Sequence, residues 1–306
     1  MKRIVYILFL LAQAMLGQQN KVSLVVLGTV QDGGSPHIGC QKDCCAPLWD
    51  APDPTRKVVA LGVIDHEHGK TFLFEATPNL PEQLKLLKAA AGTERETPDG
   101  IFLTHAHIGH YTGLQFLGRE ALGAKNVAVY AMPKMSSFLA QNGPWSQLVA
   151  LHNIALQDLN DQQPIQLTNN IKVTPFLVPH RDEFSETVGY LIEGPNQKVL
   201  FIPDINKWSK WKSDIREEIK KVDYAFLDAS FFDGEEINNR DISEIPHPFV
   251  IESMALFKDL PTAEKEKVYF IHLNHTNPLL DPESEASKQV LSQGFHIARF
   301  KQAIGL

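Results

Sequence analysis

The sequence predicts an α/β (α+β) chain in which two mixed sheets pack face to face with helices outside. Three observations carry this. Short apolar, β-rich runs recur along the 306 residues. Helical patterns are interspersed among them. Three successive strand-like runs over residues 171–202 have connections too short for crossover helices. Strands joined so tightly pair antiparallel, which disfavours a doubly wound parallel sheet. Two packed sheets covered by helices accommodate the whole pattern.

In chain order, Val22–Leu27 reads as the first strand, ending in Gly28. Residues 30–57 are rich in Gly, Pro, Asp and Cys and form a long loop. Gly28 and Gly33-Gly34 do not meet the G-x-G-x-x-G spacing of a dinucleotide loop, and no helix follows. Val58–Ile64 and Thr71–Glu75 are strands around a solvated turn at His66-Glu67-His68-Gly69. Pro81–Ala91 is an amphipathic helix with Pro in its favoured first turn. Ile101–Leu103 is a short buried strand, His105–Gly113 a loop, and a helix follows to Leu122. Val127–Ala131 is a strand, with helical segments to Ala150. Ile171–Val178, Thr187–Glu193 and Lys198–Ile202 are strands, and Trp208–Lys220 has helical spacing. Tyr224–Leu227 and Val268–Ile271 are buried strands, with a helix over Phe249–Leu260 between them.

The N-terminus reads as a signal peptide over residues 1–20, leaving one domain over 21–306. Lys2 and Arg3 precede the apolar run Ile4–Leu11, and Ala12-Gln13-Ala14 offers a small-x-small cleavage site. The apolar stretch is short of the ~20 residues of a spanning helix, so no membrane span is expected once the leader is removed. The expected location is periplasmic or secreted. The net charge is -7 and no Lys/Arg block stands out. That excludes a nucleic-acid footprint and leaves a small-molecule substrate as the expected partner.

The strongest local signal is Leu103-Thr104-His105-Ala106-His107-Ile108-Gly109-His110, which places three of the twelve His in six residues. They directly follow a buried strand, so one loop can aim several imidazoles at one point. Neutral imidazole is the commonest ligand for zinc-like metals. One loop cannot fill a coordination sphere, so further ligands are expected at other strand ends. His180, Asp204 and His272 each follow an apolar run in that way. Asp32, His37, Asp182, Glu183 and His247 are polar residues that could line the cleft, and the pattern does not choose a general acid among them.

The order His-x-His-x-x-His, His, Asp, His over residues 22–275 resembles the metallo-β-lactamase superfamily. That resemblance implies a four-layer αββα sandwich with one or two metals at the sheet edges. It places His105, His107 and His180 on a first metal and His110 and His272 on a second, with Asp204 bridging. Asp204 and His110 are then the residues expected to take part in catalysis. Glu75 stands where the superfamily has an Asp orienting the site. Gly109 departs from the pattern: an Asp is usual before the third His, and its loss should weaken the second site or change its ion.

Within the superfamily, Leu27-Gly28-Thr29-Val30-Gln31-Asp32-Gly33-Gly34, Val178-Pro179-His180-Arg181-Asp182-Glu183, Thr187-Val188-Gly189-Tyr190 and His272-x-Asn274-x-Thr276-Asn277-Pro278 resemble the coenzyme PQQ synthesis protein B group and its relative, the phosphonate-pathway cyclic phosphodiesterase. That phosphodiesterase branch implies a structural zinc held by Cys40, Cys44, Cys45 and His275, a closed Cys3His set. The Cys-x-x-x-Cys-Cys spacing here differs from the branch's Cys-x-Cys-x-x-Cys. An oxidised pair with one spare thiol is the alternative in an exported protein. The expected cofactors are therefore zinc at one or two catalytic positions, with manganese as the other ion considered, and one structural zinc. The expected activity is metal-assisted hydrolysis of a phosphodiester, or of an ester, lactone or lactam. The rival expectation is a non-catalytic metal- or ligand-binding protein serving cofactor assembly or transport.

Overall fold

The computed structural model describes residues 20–236 and 245–306. The expected leader falls outside them except for Asn20. Among the described residues no helix is long and apolar enough to cross a membrane.

The strands are β1 (Val22–Gly28), β2 (Ala60–Asp65), β3 (Lys70–Phe74), β4 (Gly100–Phe102), β5 (Val127–Ala131), β6 (Ile154–Asp158), β7 (Ile165–Gln166), β8 (Lys172–Leu177), β9 (Val188–Glu193), β10 (Lys198–Ile202), β11 (Tyr224–Asp228), β12 (Val268–Ile271), β13 (His296–Ile297) and β14 (Ala303–Gly305). They form two seven-stranded mixed sheets, ordered β14-β1-β2-β3-β4-β5-β6 and β13-β12-β11-β10-β9-β8-β7. β8, β9 and β10 pair antiparallel, as their short connections require. The helices are α1 (Ala46–Asp50), α2 (Leu80–Ala91), α3 (Ile108–Tyr111), α4 (Pro133–Gln141), α5 (Trp145–Ala150), α6 (Ile215–Lys220), α7 (Val250–Leu256), α8 (Thr262–Lys265) and α9 (Glu285–Ser292).

Side-chain alternation along the strands builds the layers. Val22, Leu24 and Val26 of β1 point into the core between the sheets, where Phe74, Phe102, Tyr190 and Phe201 pack together. Phe74 stacks on Phe102 at 4.8 Å and meets Tyr190 edge-on at 5.3 Å. Val25 and Leu27, one residue out of phase, face the opposite way and pack with Leu80 and Leu87 of α2. On the other sheet, Leu200 and Ile202 of β10 face outward onto Ile219 of α6 and Val250 and Met254 of α7. The result is the αββα sandwich.

Several local expectations differ from the structure. β6 and β7 carry too little apolar alternation to read as strands in the sequence. The segment after β4 is helical from Ile108, and a 3-10 turn carries it only to Leu117. Trp208–Lys220 is divided into a 3-10 turn over Trp208–Lys210 and the short α6.

β4 runs parallel to β3 and β5, and β10, β11 and β12 run parallel to one another. Parallel neighbours present their C-terminal ends together. The residues that follow β4, β10, β11 and β12 therefore emerge along one edge of the sandwich, the place where open α/β sheets build their sites.

Candidate metal centre

That edge gathers the imidazoles. His105 Nε2 lies 2.8 Å from His107 Nδ1, and His180 Nε2 lies 3.2 Å from the same atom. Asp204 Oδ2 is 3.3 Å from His105 Nε2 and 3.2 Å from His180 Nε2. A tetrahedral ion with bonds of about 2.0–2.1 Å has ligand atoms about 3.3 Å apart, so these four atoms have the spacing of a coordination shell. Beside them His110 Nε2 and His272 Nε2 lie 2.9 and 3.1 Å from Asp32 Oδ1. Asp204 Oδ2 is 3.9 Å from His110 Nε2, which sets this carboxylate between the two groups.

The outer hydrogen bonds fix the tautomers. Thr104 Oγ1 donates to Glu75 Oε1 at 2.6 Å, so it accepts from His105 Nδ1 at 2.9 Å. His110 Nδ1 donates to Glu75 Oε1 at 3.1 Å. Ser230 Oγ donates to Asp228 Oδ1 at 2.8 Å and accepts from His272 Nδ1 at 2.9 Å. His107 Nε2 donates to Glu183 Oε2 at 3.0 Å. In each of these four His one nitrogen is committed outward and the other faces the shared point, the arrangement by which proteins orient imidazole ligands. Among the described residues, the buried His180 Nδ1 and Asp204 Oδ1 have no hydrogen-bond partner. Asp204 Oδ1 has the His247 ring beside it, Nδ1 at 3.1 Å, while Oδ2 faces His105 and His180. A buried carboxylate is costly unless its charge is paired, and a cation between Oδ2 and those imidazoles would pair it. The donor set therefore fits a divalent metal.

Electrostatics divides the centre. Burial, reinforced by the neighbouring His110, holds His105 well below the usual imidazole range. His107 is lowered too, by burial that outweighs Glu183. Burial opposes charge on His110 and His272 as well, but Asp32 with Glu75 on the former, and Asp228 with Asp32 on the latter, outweigh it. His110 is held well above its ordinary value and His272 at about 9. His247, buried against Asp228 Oδ2 at 2.8 Å and 3.1 Å from Asp204 Oδ1, is likewise raised despite its burial. The backbone is strained at two of these residues: Glu75 (φ 80) and His272 (φ 65) occupy the left-handed region, a cost that structures carry chiefly at functional positions.

The Cys-rich loop forms a second cluster. Cys40, Cys44, Cys45 and His275 bring their ligand atoms together, and the cysteines are free. Cys40 Sγ and Cys44 Sγ are 3.8 Å apart, Cys44 Sγ and Cys45 Sγ 3.7 Å. Tetrahedral zinc with bonds of about 2.3 Å separates its sulfurs by about 3.8 Å. Burial pushes the Cys44 thiol up to about 12 and His275 down to about 4, so the imidazole is neutral and ready to ligate. His37 stacks on His275 at 4.3 Å and donates its backbone N–H to Cys45 Sγ at 3.3 Å.

The profile of the β-lactamase superfamily domain matches residues 70–273, the span from β3 to the residue after His272. The chain belongs to the β-lactamase superfamily. Within it, the coenzyme PQQ synthesis protein B of Methylobacterium sp. (strain 4-46) is 24% identical over 301 residues, covering 90% of this chain and 96% of that protein. Its counterpart in Xanthomonas campestris pv. campestris (strain B100) is also 24% identical, over 305 residues, with 90% and 97% covered. Among solved structures, Zn(2+)-bound PqqB from Methylobacterium extorquens shares the fold with a TM-score of 0.75 and 20% identity, covering 93% of this chain and all of the other. A diphosphatase of the PhnP family shares it with a TM-score of 0.63 and 23% identity, covering 92% and 96%.

The structure brings together every residue that the superfamily resemblance placed at the two metals, and also the four of the Cys/His set. Glu75 touches Thr104 and His110, as a residue orienting the loop should. Sequence reasoning left Asp32 and His247 without roles and did not single out Asp228, Thr104 or Ser230. Asp228 ends β11 after an apolar run, as Asp204 does after β10, and that repeated pattern is the signal that could have found it. Gly109 supplies no carboxylate, and beside it Asp32 Oδ1 lies 2.9 Å from His110 Nε2 and 3.1 Å from His272 Nε2.

Proposed function

We propose that this protein is a metal-dependent hydrolase acting on a small phosphodiester, with ester and lactam substrates next in order. The observation that carries the reading is the convergence of five imidazoles and two carboxylates, with four of the imidazoles held by outward hydrogen bonds that leave their other nitrogen facing the centre. His105, His107, His180 and Asp204 would hold a first zinc. His110, His272 and Asp204 would hold a second ion, zinc or manganese. The Cys/His set would hold a structural zinc. A divalent ion bound there supplies acidified water and polarises the scissile oxygen.

The chain's own residues do the rest. Glu75 and Thr104 lock His105 and His110, so the loop needs no reorganisation during turnover. Glu183 at the cleft mouth orients His107. His247 Nδ1 lies 2.8 Å from Asp228 Oδ2 and 3.1 Å from Asp204 Oδ1, and these carboxylates favour its charged form despite burial. It is suited to protonate a leaving oxygen, the work of a general acid. The diphosphatase neighbour supports testing phosphate esters first, as an analogy of fold. The signal-peptide pattern read in residues 1–20 supports export, and the enzyme would then meet its substrate outside the cytoplasm.

The test is metal analysis of the purified chain combined with turnover of a chromogenic phosphodiester and a chromogenic lactam. His105→Ala is expected to lose the first ion and turnover together. Full turnover by a metal-free His105→Ala protein would end the proposal. Zinc found at the Cys/His set alone, without turnover, would favour a binding protein.

A further inference from the structure

We propose that Asp32 is itself a metal ligand, a carboxylate delivered from the loop after β1 to the position that residue 109 leaves open. The inference rests on the metallohydrolase reading and extends it.

The third-His loop carries no carboxylate of its own, because Gly109 stands between Ile108 and His110. The structure shows what occupies that space. A Cβ built on Gly109 would lie 2.6 Å from Asp32 Cα, 2.8 Å from Asp32 Cγ and 2.8 Å from its Oδ1. No side chain at 109 can coexist with the Asp32 loop in its present path, so Gly109 and Asp32 are two halves of one arrangement. Asp32 Oδ1 then sits 2.9 Å from His110 Nε2 and 3.1 Å from His272 Nε2. Those are the two site-facing nitrogens of the second group.

The loop is held firmly enough to serve this purpose. Val30 bridges in parallel to both Val58 and Leu273, Gln31 N–H donates to Leu273 O at 2.9 Å, and Gly34 N–H donates to Gln31 O at 2.9 Å. Asp32 is therefore fixed next to the strand end that carries His272. A carboxylate positioned by backbone hydrogen bonds on both sides is preorganised as a ligand. With it, the two groups are chemically unequal. The first has three imidazoles and one carboxylate, and the second has two imidazoles and two carboxylates, counting Asp204 in both. The harder oxygen-rich set should accept manganese more readily than the first.

The experiment uses the full purified chain, stripped of metal and retitrated with zinc. Native mass spectrometry counts the ions, and a chromophoric chelator in competition measures each affinity. Wild type is expected to take three ions. Asp32→Ala should keep the Cys/His ion and the first catalytic ion but bind the second roughly 100-fold more weakly or worse, since even outer-shell changes cost about 10–100-fold. Gly109→Ala leaves Asp32 chemically intact but forces its loop away, and should produce the same selective loss. Asp32→Asn, which keeps the shape, guards against misfolding of the alanine variant and should also weaken the second ion.

Wild-type affinity for all three ions in Asp32→Asn and Asp32→Ala would overturn the assignment while leaving the hydrolase reading intact. So would a wild type that holds only one ion among the histidines. A wild type that holds no ion there would remove the hydrolase reading, and this inference with it.

Discussion

Replacing Thr104 with Val tests whether the hydrogen bonds behind the imidazoles govern metal affinity. Val keeps the β-branched shape at this buried position, 2% exposed, and removes only the hydroxyl. That hydroxyl joins Glu75 Oε1 at 2.6 Å to His105 Nδ1 at 2.9 Å. Glu75 keeps His110 Nδ1 at 3.1 Å and the Thr104 N–H at 3.4 Å, but His105 Nδ1–H loses its acceptor. A buried donor left unpaired costs about 1–3 kcal/mol. Part of that falls on folding, and part on the metal-ready tautomer of His105, which becomes free to carry its proton on Nε2 instead. With about half of that cost falling on binding, at about 1.4 kcal/mol per factor of ten, the first metal position should weaken roughly 3–10-fold. The assay is competitive zinc titration alongside denaturant unfolding of the metal-free protein. An unchanged first-site affinity together with lowered stability would show that Thr104 only packs, and would refute the claim that the outer hydrogen bonds set the tautomers.

Three further outcomes follow from the same geometry. His272 is held at about 9 in the fold, against about 6.5 for a free imidazole; its charged form contributes stability fully below about pH 6.5 that is lost as pH rises through 9. Denaturation of the metal-free protein from pH 6 to 10 should show that decline, while second-site zinc affinity rises over the same window and the first site, built on His lowered by burial, stays flat. Cys44→Ser should remove one zinc without touching the histidine ions directly, and should reduce the proton release on zinc loading, because that thiol must shed a proton held up to about 12; an unchanged zinc count by elemental analysis would contradict the structural site. Asp65 is fully buried and accepts from Thr168 Oγ1 at 2.5 Å, Asn170 Nδ2 at 3.2 Å and the N–H groups of Glu67 and His68 at 3.0 Å each. Asp65→Ala should cost about 2–4 kcal/mol of stability, read by urea melts, and leave turnover unchanged, since the β2–β3 turn lies at the end of the sheet opposite the metal edge.

The turn just described shows the limits of reading residue by residue. His66-Glu67-His68 reads as a solvated turn, and His66 and His68 are indeed exposed. What gives the turn its physical weight is the buried Asp65 beside it, whose partners Thr168 and Asn170 come from about a hundred residues away. The 105–110 cluster was legible for the opposite reason. Its three His share one short loop after a buried strand, so spacing alone aims them at one point. His180, Asp204 and His272 were legible because a lone polar residue at the end of an apolar run has few other uses.

The sequence by itself determined the layers, because alternation in β1 and its counterparts leaves each sheet two apolar faces to cover. It also determined the histidine loop, because a strand end and three closely spaced imidazoles are local facts. Only the tertiary structure set a second carboxylate, Asp32, beside His110 and His272. Asp32 lies 78 positions from His110 and 240 from His272, and its value as a ligand comes from a β-bridge to Leu273 and from the missing side chain at Gly109. Those are relations between distant backbones in space, and no local pattern along the chain encodes them.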